Sequence, residues 1–135
     1  MEEFNISKYK EAPYLELDNY KAPNGIESYF VNMNDGIKIR VCHWLQQKEK
    51  STGTIFLQQG HNEFIEKYYE TIQEFIDRGY SVICFDWRGQ GMSERMIDDI
   101  NKSFINDFKR HDKDLEKILE EIIDPFFPKP LIGIG

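Results

Sequence analysis

The sequence ends in Pro130-Leu131-Ile132-Gly133-Ile134-Gly135, a short apolar run that finishes on a glycine. A continuous apolar run without polar alternation is typical of a strand that is buried on both faces of a parallel sheet. A glycine after such a strand permits a backbone turn that other residues resist. We therefore predict a buried strand over this run and a sharp turn at Gly135.

Two further apolar runs precede it, at residues 54–58 and 80–85, and the segment between them has helical periodicity. Asn62 is a candidate N-cap of this helix, and Gly79 follows its predicted end. A strand, a helix and a second strand in this order predict a parallel unit. The apolar positions of the helix are Phe64, Ile65, Tyr68, Tyr69, Ile72, Phe75 and Ile76.

Upstream, Asn34-Asp35-Gly36 separates two β-like runs at residues 27–33 and 37–45. Asp-Gly adopts positive φ values readily, so this tripeptide predicts a tight hairpin turn. In the second run apolar residues alternate with Arg40 and Cys42, which predicts a strand with one covered face.

A second helix is predicted downstream, with Ser103 as its candidate N-cap. Charged residues fill the positions outside its apolar stripe. The whole order predicts an α/β fold: a mostly parallel sheet with an N-terminal antiparallel hairpin and helices on both faces. The stripe consists of Phe108, Leu115, Ile118, Leu119, Ile122 and Ile123.

Composition excludes several classes of function. The chain has 135 residues and a formal net charge of −7, whereas binding to nucleic-acid phosphates needs a clustered cationic surface. The N-terminus lacks the pattern of a secretion signal, and no stretch has the roughly 18 apolar residues of a membrane span. We therefore expect a cytoplasmic protein whose contact with a membrane, if any, is peripheral. Cys42 and Cys84 fall in predicted strands, so we expect buried reduced thiols rather than a disulfide or a metal site.

Three segments resemble the α/β-hydrolase superfamily, and within it the lysophospholipase and monoacylglycerol lipase branch. They are Gln-Gly-His-Asn-Glu-Phe-Ile-Glu-Lys-Tyr at residues 59–68, Asp-x-Arg-Gly-x-Gly-x-Ser at residues 86–93, and Leu-Ile-Gly-Ile-Gly at residues 131–135. The resemblance implies a truncated α/β-hydrolase fold: residues 27–135 form the N-terminal half of the domain, and residues 1–26 an irregular lead-in that wraps it. A complete domain needs roughly twice this length.

The resemblance also implies an oxyanion-binding group after the run at residues 54–58. The family usually carries His-Gly there, and the residue after the glycine donates its main-chain N–H. Here Gln59 replaces the histidine, Gly60 matches, and His61 occupies the donor position, so its amide rather than its imidazole is implied to act. The alternative that Gly60 and His61 merely form a turn stays open.

The turn at residues 86–93 invites a catalytic interpretation because Asp, Arg and Ser occur together. The resemblance implies a scaffold instead, in which glycines permit a tight turn and the Asp and Arg side chains bond the surrounding backbone. A dinucleotide-binding Gly-x-Gly-x-x-Gly loop is disfavoured at residues 89–94, which lack the third glycine, and stays open for a loop beginning at Gly133. The implied supporting residues are Asp86, Arg88, Gly89 and Gly91.

By the same resemblance the complete protein cleaves a carboxylic ester of a monoacyl lipid with a Ser-His-Asp triad, and it needs no metal or organic cofactor. Gly135 matches the first glycine of Gly-x-Ser-x-Gly, so no member of the triad is expected within the chain. His43 and His111 do not match the position of the family's base. We therefore expect no ester hydrolysis by this chain alone.

A non-enzymatic alternative stays open: a gene remnant, or one half of a split protein that pairs with a separate C-terminal half. The family's strand order leaves Leu131 to Ile134 as an apolar edge strand. Such an edge tends to self-associate or to bind a partner.

Overall fold

The computed structural model describes residues 3–95 and 109–135. Strands within these ranges form one sheet in the order β1-β2-β3-β5-β4-β6. Their bounds are Lys10–Glu11 for β1, Glu27–Asn32 for β2, Lys38–Trp44 for β3, Gly53–Leu57 for β4, Tyr80–Phe85 for β5 and Leu131–Ile134 for β6. The strands predicted from the apolar runs are therefore present.

The helices are α1 (Tyr69–Asp77), α2 (Lys109–Ile118) and α3 (Asp124–Phe126), with a π-helical turn over Leu119–Ile123 between the last two. Short 3₁₀ turns occupy Ile6–Lys8, Lys48–Lys50 and Ile65–Tyr68. No helix in the described part of the chain is long and apolar enough to cross a membrane.

The predicted N-cap of the first helix is wrong. Phe64 rather than Asn62 precedes the 3₁₀ turn that leads into α1, and Asn62 has a positive φ of 59°. A residue with left-handed backbone cannot take the extended conformation of an N-cap, so the turn after β4 continues through Asn62. The predicted cap Ser103 and the stripe residue Phe108 lie outside the described residues.

The predicted α/β architecture is present, with a mixed sheet instead of a mostly parallel one. Among the described strands, β4 pairs in parallel with β5 on one side and with β6 on the other, while β1, β2, β3 and β5 pair antiparallel in succession. Antiparallel strand pairs are frequent in this sheet because the N-terminal hairpin lies directly beside β5.

Helices cover both faces of the sheet, as predicted. On one face Ile65, Tyr69 and Ile72 pack on residues of β3, β4 and β5, including the buried free thiols Cys42 and Cys84. On the other face residues from α2, from the π-helical turn and from the end of α3 complete the core, namely Ile118, Ile122, Ile123 and Phe127.

Two strand predictions need correction. Strand β3 is buried on both faces beyond Lys38, and the Arg40 side chain is 0% exposed, because neighbouring carboxylates neutralise its charge. Strand β6 was predicted to be buried, but Leu131 and Ile132 are 37% and 38% exposed. It lies at the edge of the sheet, beside β4 alone among the described strands.

The lead-in before β2 wraps the sheet but is not wholly irregular. Its Ile6–Lys8 turn precedes β1, which pairs with β2. Phe4 packs on Tyr29 and His43, with ring centroids 5.1 and 4.6 Å apart.

Candidate functional site

The carboxyl ends of β4, β5 and β6 meet at one edge of the sheet because these strands run parallel. Open α/β folds bind their ligands at this edge. Residues 58–62 follow β4, residues 86–93 follow β5, and Gly135 follows β6. The Gln58 N–H donates to the Ile134 carbonyl at 2.7 Å, so the two chain segments are joined where they leave the sheet.

The turn after β4 presents three consecutive amides with different partners. The Gly60 N–H donates to Glu63 Oε1 at 2.7 Å, and the Asn62 N–H donates to Gln90 Oε1. Between them, the N–H of the exposed His61 donates to no group in the described residues. A free amide between two bonded ones is available to bind a negative charge.

A buried set of charges lies beneath this turn, and we call Arg40, Glu66 and Asp86 the inner cluster. Arg40 Nε and Nη2 lie 2.8 and 2.7 Å from Asp86 Oδ2. Its Nη1 and Nη2 each donate to one Glu66 oxygen at 2.7 Å. The exposed fractions of the three side chains are 0%, 7% and 0%, so water screens this cluster little.

The inner cluster also holds backbone from three segments. Asp86 Oδ1 accepts from the Ile65 N–H at 3.0 Å, and Asp86 Oδ2 accepts from the Met92 N–H at 2.9 Å. Arg40 Nη1 donates to the Pro13 carbonyl at 3.1 Å, and Glu66 Oε2 accepts from the Leu15 N–H at 3.0 Å. The inner cluster therefore binds backbone groups of the lead-in, of the turn after β4 and of the turn after β5.

Burial and pairing compete within this cluster. Burial raises the pKa of Asp86, although the Arg40 charge and two backbone N–H groups oppose it. Burial also tends to raise the pKa of Glu66, but hydrogen bonds and charge from Arg40 leave that pKa below its ordinary value. Burial tends to lower the pKa of Arg40, but its carboxylate partners outweigh the effect of burial and raise that pKa. Arg40 therefore stays charged.

Arg88 belongs to a second set, which we call the outer cluster and define as Asp35, Arg88, Arg110 and Asp114. Arg88 binds both Asp114 oxygens at 2.7 Å and Asp35 Oδ2 at 2.7 Å, and Arg110 binds Asp35 at 2.6 Å. Arg88 was predicted to bond the surrounding backbone, and its contacts within the described residues are with these carboxylates. The turn that carries Arg88 lies against Asp35 in the hairpin and Asp114 on α2. Arg88 binds them because the planar guanidinium group can donate two parallel hydrogen bonds to one carboxylate.

The glycines of the turn after β5 allow close backbone approach. Gly89 and Gly91 have φ values of 78° and 53°. A Cβ on Gly91 would lie 2.3 Å from Asp86 Cγ. Ser93 Oγ donates to the Asp86 carbonyl at 2.6 Å and accepts from the Arg40 N–H at 2.9 Å. That hydroxyl is bonded within the turn, and with the residue 1% exposed it is unsuited to act as a nucleophile.

The histidines outside the β4 turn have structural surroundings. His43 is fully buried, and its Nδ1 lies 2.7 Å from the Tyr29 hydroxyl. Burial lowers the His43 pKa, with Glu27 opposing the shift. His111 packs on Trp87, with ring centroids 4.8 Å apart, rather than facing solvent alone.

Gln59, the residue in place of the family's histidine, is 6% exposed. Neither Oε1 nor Nε2 of its side chain has a hydrogen-bond partner in the described residues. Its carbonyl accepts from Trp87 Nε1 at 2.9 Å. Sequence reasoning identified the substitution but did not predict burial without a partner.

A family model described as serine aminopeptidase, S33 (Hydrolase_4) matches residues 49–135, which contain both turns and β6. The chain belongs to this family. This membership agrees with the resemblance to the α/β hydrolases that the sequence motifs indicated.

Among curated proteins, the S33-family chain is similar to the probable lysophospholipase L2 of Haemophilus influenzae. The two are 33% identical over 86 residues, which are 64% of this chain and 27% of that protein. The chain thus spans about a quarter of the length of this curated relative.

Solved structures show the same fold at low sequence identity. A monoglyceride lipase from Saccharomyces cerevisiae has a TM-score of 0.62 at 21% identity, covering 87% of this chain and 36% of that chain. An epoxide hydrolase from Acinetobacter nosocomialis has a TM-score of 0.58 at 17% identity, covering 84% and 32%. Because the two titles name different reactions, the fold alone does not select a substrate for the S33-family chain.

Proposed function

We propose that the protein containing this chain is a cytoplasmic serine hydrolase that cleaves a carboxylic ester of a monoacyl lipid. In this proposal the chain contributes the oxyanion donor, the His61 N–H, and the nucleophile, acid and base lie beyond Gly135. Activity then needs no metal or organic cofactor, and contact with a membrane is at most peripheral. Gly60, Asp86, Arg88, Gly89 and Gly91 support the donor.

The free His61 amide is the observation that carries this proposal. It lies at the sheet edge where open α/β folds bind their ligands, and the amides on both sides are already bonded. A main-chain donor held in place before reaction stabilises charge on the substrate carbonyl oxygen without reorganisation. Similarity to a probable lysophospholipase supports the ester substrate.

The first experiment identifies the native product in source cells. An antibody against residues 63–79 should detect a protein well above the 16.1 kDa of this chain. That product should react with a fluorophosphonate at a serine outside this sequence and hydrolyse a monoacyl ester faster than an aminoacyl amide. The 135-residue chain alone should show neither labelling nor hydrolysis. Labelling of one of its own serines would contradict the proposal.

Two substitutions of His61 test the donor itself. His61→Pro removes the N–H and should lower kcat of the native product about 10²- to 10³-fold. His61→Ala keeps the N–H and should leave kcat within about twofold, since only the imidazole is lost. Equal loss in both variants would assign the role to the side chain.

A second candidate function rests on the β6 edge. Leu131 and Ile132 are partly exposed on a strand that has one neighbour among the described strands. This favours a split half that pairs with a separate C-terminal half or with itself. Size-exclusion chromatography of the chain should then show association. A soluble monomer with a cooperative melt would remove this candidate.

A further inference from the structure

Two side chains from different segments bind the amides that flank His61. Glu63 Oε1 accepts from the Gly60 N–H at 2.7 Å, and Gln90 Oε1 accepts from the Asn62 N–H. A peptide plane is fixed when its N–H is bonded, so these contacts restrain the backbone before and after His61. The peptide group that carries the free N–H lies between these two restrained peptide planes.

The Glu63 carboxylate is itself held on three sides. It accepts from the Tyr68 hydroxyl at 2.6 Å and from Lys67 Nζ at 2.8 Å, besides the Gly60 amide. The Lys67 contact, with the bonds from Tyr68 and Gly60, lowers the pKa of Glu63 to about 2. A Cβ on Gly60 would lie 2.6 Å from Glu63 Oε1, so Gly60 leaves the space that this contact needs.

Gln90 approaches from the turn after β5 and is 5% exposed. Its own N–H donates to the Trp87 carbonyl at 3.0 Å, and its carbonyl accepts from the Ser93 N–H at 3.1 Å. The residue that it binds, Asn62, has a φ of 59°, a conformation that costs energy unless the surroundings support it. Gln90 supplies that support.

We propose that Glu63 and Gln90 are positioning residues, which fix the Gly60 and Asn62 amides so that the His61 N–H stays unbonded and aimed at the developing oxyanion. This rests on the proposed function, in which His61 is the donor. It also gives the turn at residues 86–93 a role in catalysis through geometry, without contact with the substrate. The hydrogen-bond acceptor matters here, and the Glu63 charge does not.

Matched variants of the native product test the proposal. Glu63→Met and Gln90→Met remove the acceptors at similar volume, and each should lower kcat about 10- to 100-fold with KM within about twofold. Glu63→Gln keeps an acceptor and should restore most of kcat. Gln73→Met, at a partly exposed glutamine on α1 that contacts neither turn, is the control. Unchanged kcat in both Met variants, or equal loss in Glu63→Gln and Glu63→Met, would overturn the proposal.

Amide exchange measured by NMR provides a readout that does not depend on activity. The Gly60 and Asn62 amides should exchange more slowly than the His61 amide, and Glu63→Met should accelerate Gly60 selectively. Fast exchange of all three in the unaltered protein would refute the geometry. If His61→Pro keeps full activity, the proposed donor fails; if it loses activity while both Met variants keep kcat, only the positioning role fails.

Discussion

The inner and outer clusters differ in their contact with water, although both join one turn to arginine-carboxylate pairs. Asp86 of the inner cluster and Arg88 of the outer cluster are two residues apart. The inner side chains are 0–7% exposed, whereas Asp35 and Arg110 in the outer cluster are 31% and 35% exposed. The same chemistry therefore acts in two dielectric environments, and loss of a charge should cost more in the inner one.

The largest effect is expected when Arg40 is removed. Arg40→Met leaves the carboxylates of Glu66 and Asp86 buried without their counter-ion, so the free energy of unfolding should fall by about 3–5 kcal/mol. Urea unfolding of the protein at neutral pH measures this. Arg78→Met is the control, because Arg78 lies 4.0 Å from Glu74 on the exposed surface and should change stability by less than about 0.5 kcal/mol. A similar loss of unfolding free energy in the two variants would show that the buried pairs of Arg40 stabilise the fold no more than an exposed pair does.

Arg88→Met should have an intermediate effect. It leaves Asp114, whose side chain is 2% exposed, without its partner, while water can solvate Asp35. We expect a loss of about 2–3 kcal/mol, smaller than that of Arg40→Met in the same urea titration. A larger loss than for Arg40→Met would show that burial does not rank the clusters.

Asp35→Asn should have a small effect that depends on salt. The substitution removes a partly exposed charge shared by Arg88 and Arg110, and it should cost about 1 kcal/mol at low ionic strength. At about 1 M salt the Debye length is near 3 Å, so the difference from the unaltered protein should shrink. A salt-independent difference would point to lost geometry instead of lost charge.

Acidification should act in opposite directions on Asp35 of the outer cluster and Asp86 of the inner cluster. Hydrogen bonding from Arg88 lowers the pKa of Asp35 below its ordinary 3.8, so this group stabilises the fold above that pH and ceases to do so as the pH falls further. Burial raises the pKa of Asp86, so its protonation favours the folded state. Asp35→Asn should therefore lose less stability than the unaltered protein between about pH 5 and pH 2.5. Parallel curves, with Asp18→Asn as the exposed control, would contradict this sign.

Sequence patterns correctly predicted the strands and turns whose formation depends on residues close together in the chain. The Asp-Gly turn, the apolar run of β5 and the position of β6 follow from turn chemistry and periodicity. Alternation failed at Arg40, because its partners Glu66 and Asp86 lie 26 and 46 residues away in the sequence. A single chain gives no signal for such a pairing.

The candidate site was predictable only in part. Resemblance to a family placed Gly60 and His61 at the sheet edge, but it gave no partner for the amides on either side. Gln90 binds Asn62 across 28 residues, and this depends on how the two turns meet. The side-chain amide of Gln59 is buried without a hydrogen-bond partner in the described residues, and this too depends on packing that sequence periodicity does not encode.

The contacts of Pro13 and Leu15 with the inner cluster have a practical consequence for anyone who shortens the protein. The family resemblance implies a boundary near residue 26, so the lead-in before it is an obvious segment to remove. Removing it would take away the carbonyl that Arg40 binds and the amide that Glu66 binds, and would open both charges to water. A trimmed version should then lose stability without a single change near His61, and its failure would be misread as evidence about the wrong end of the chain.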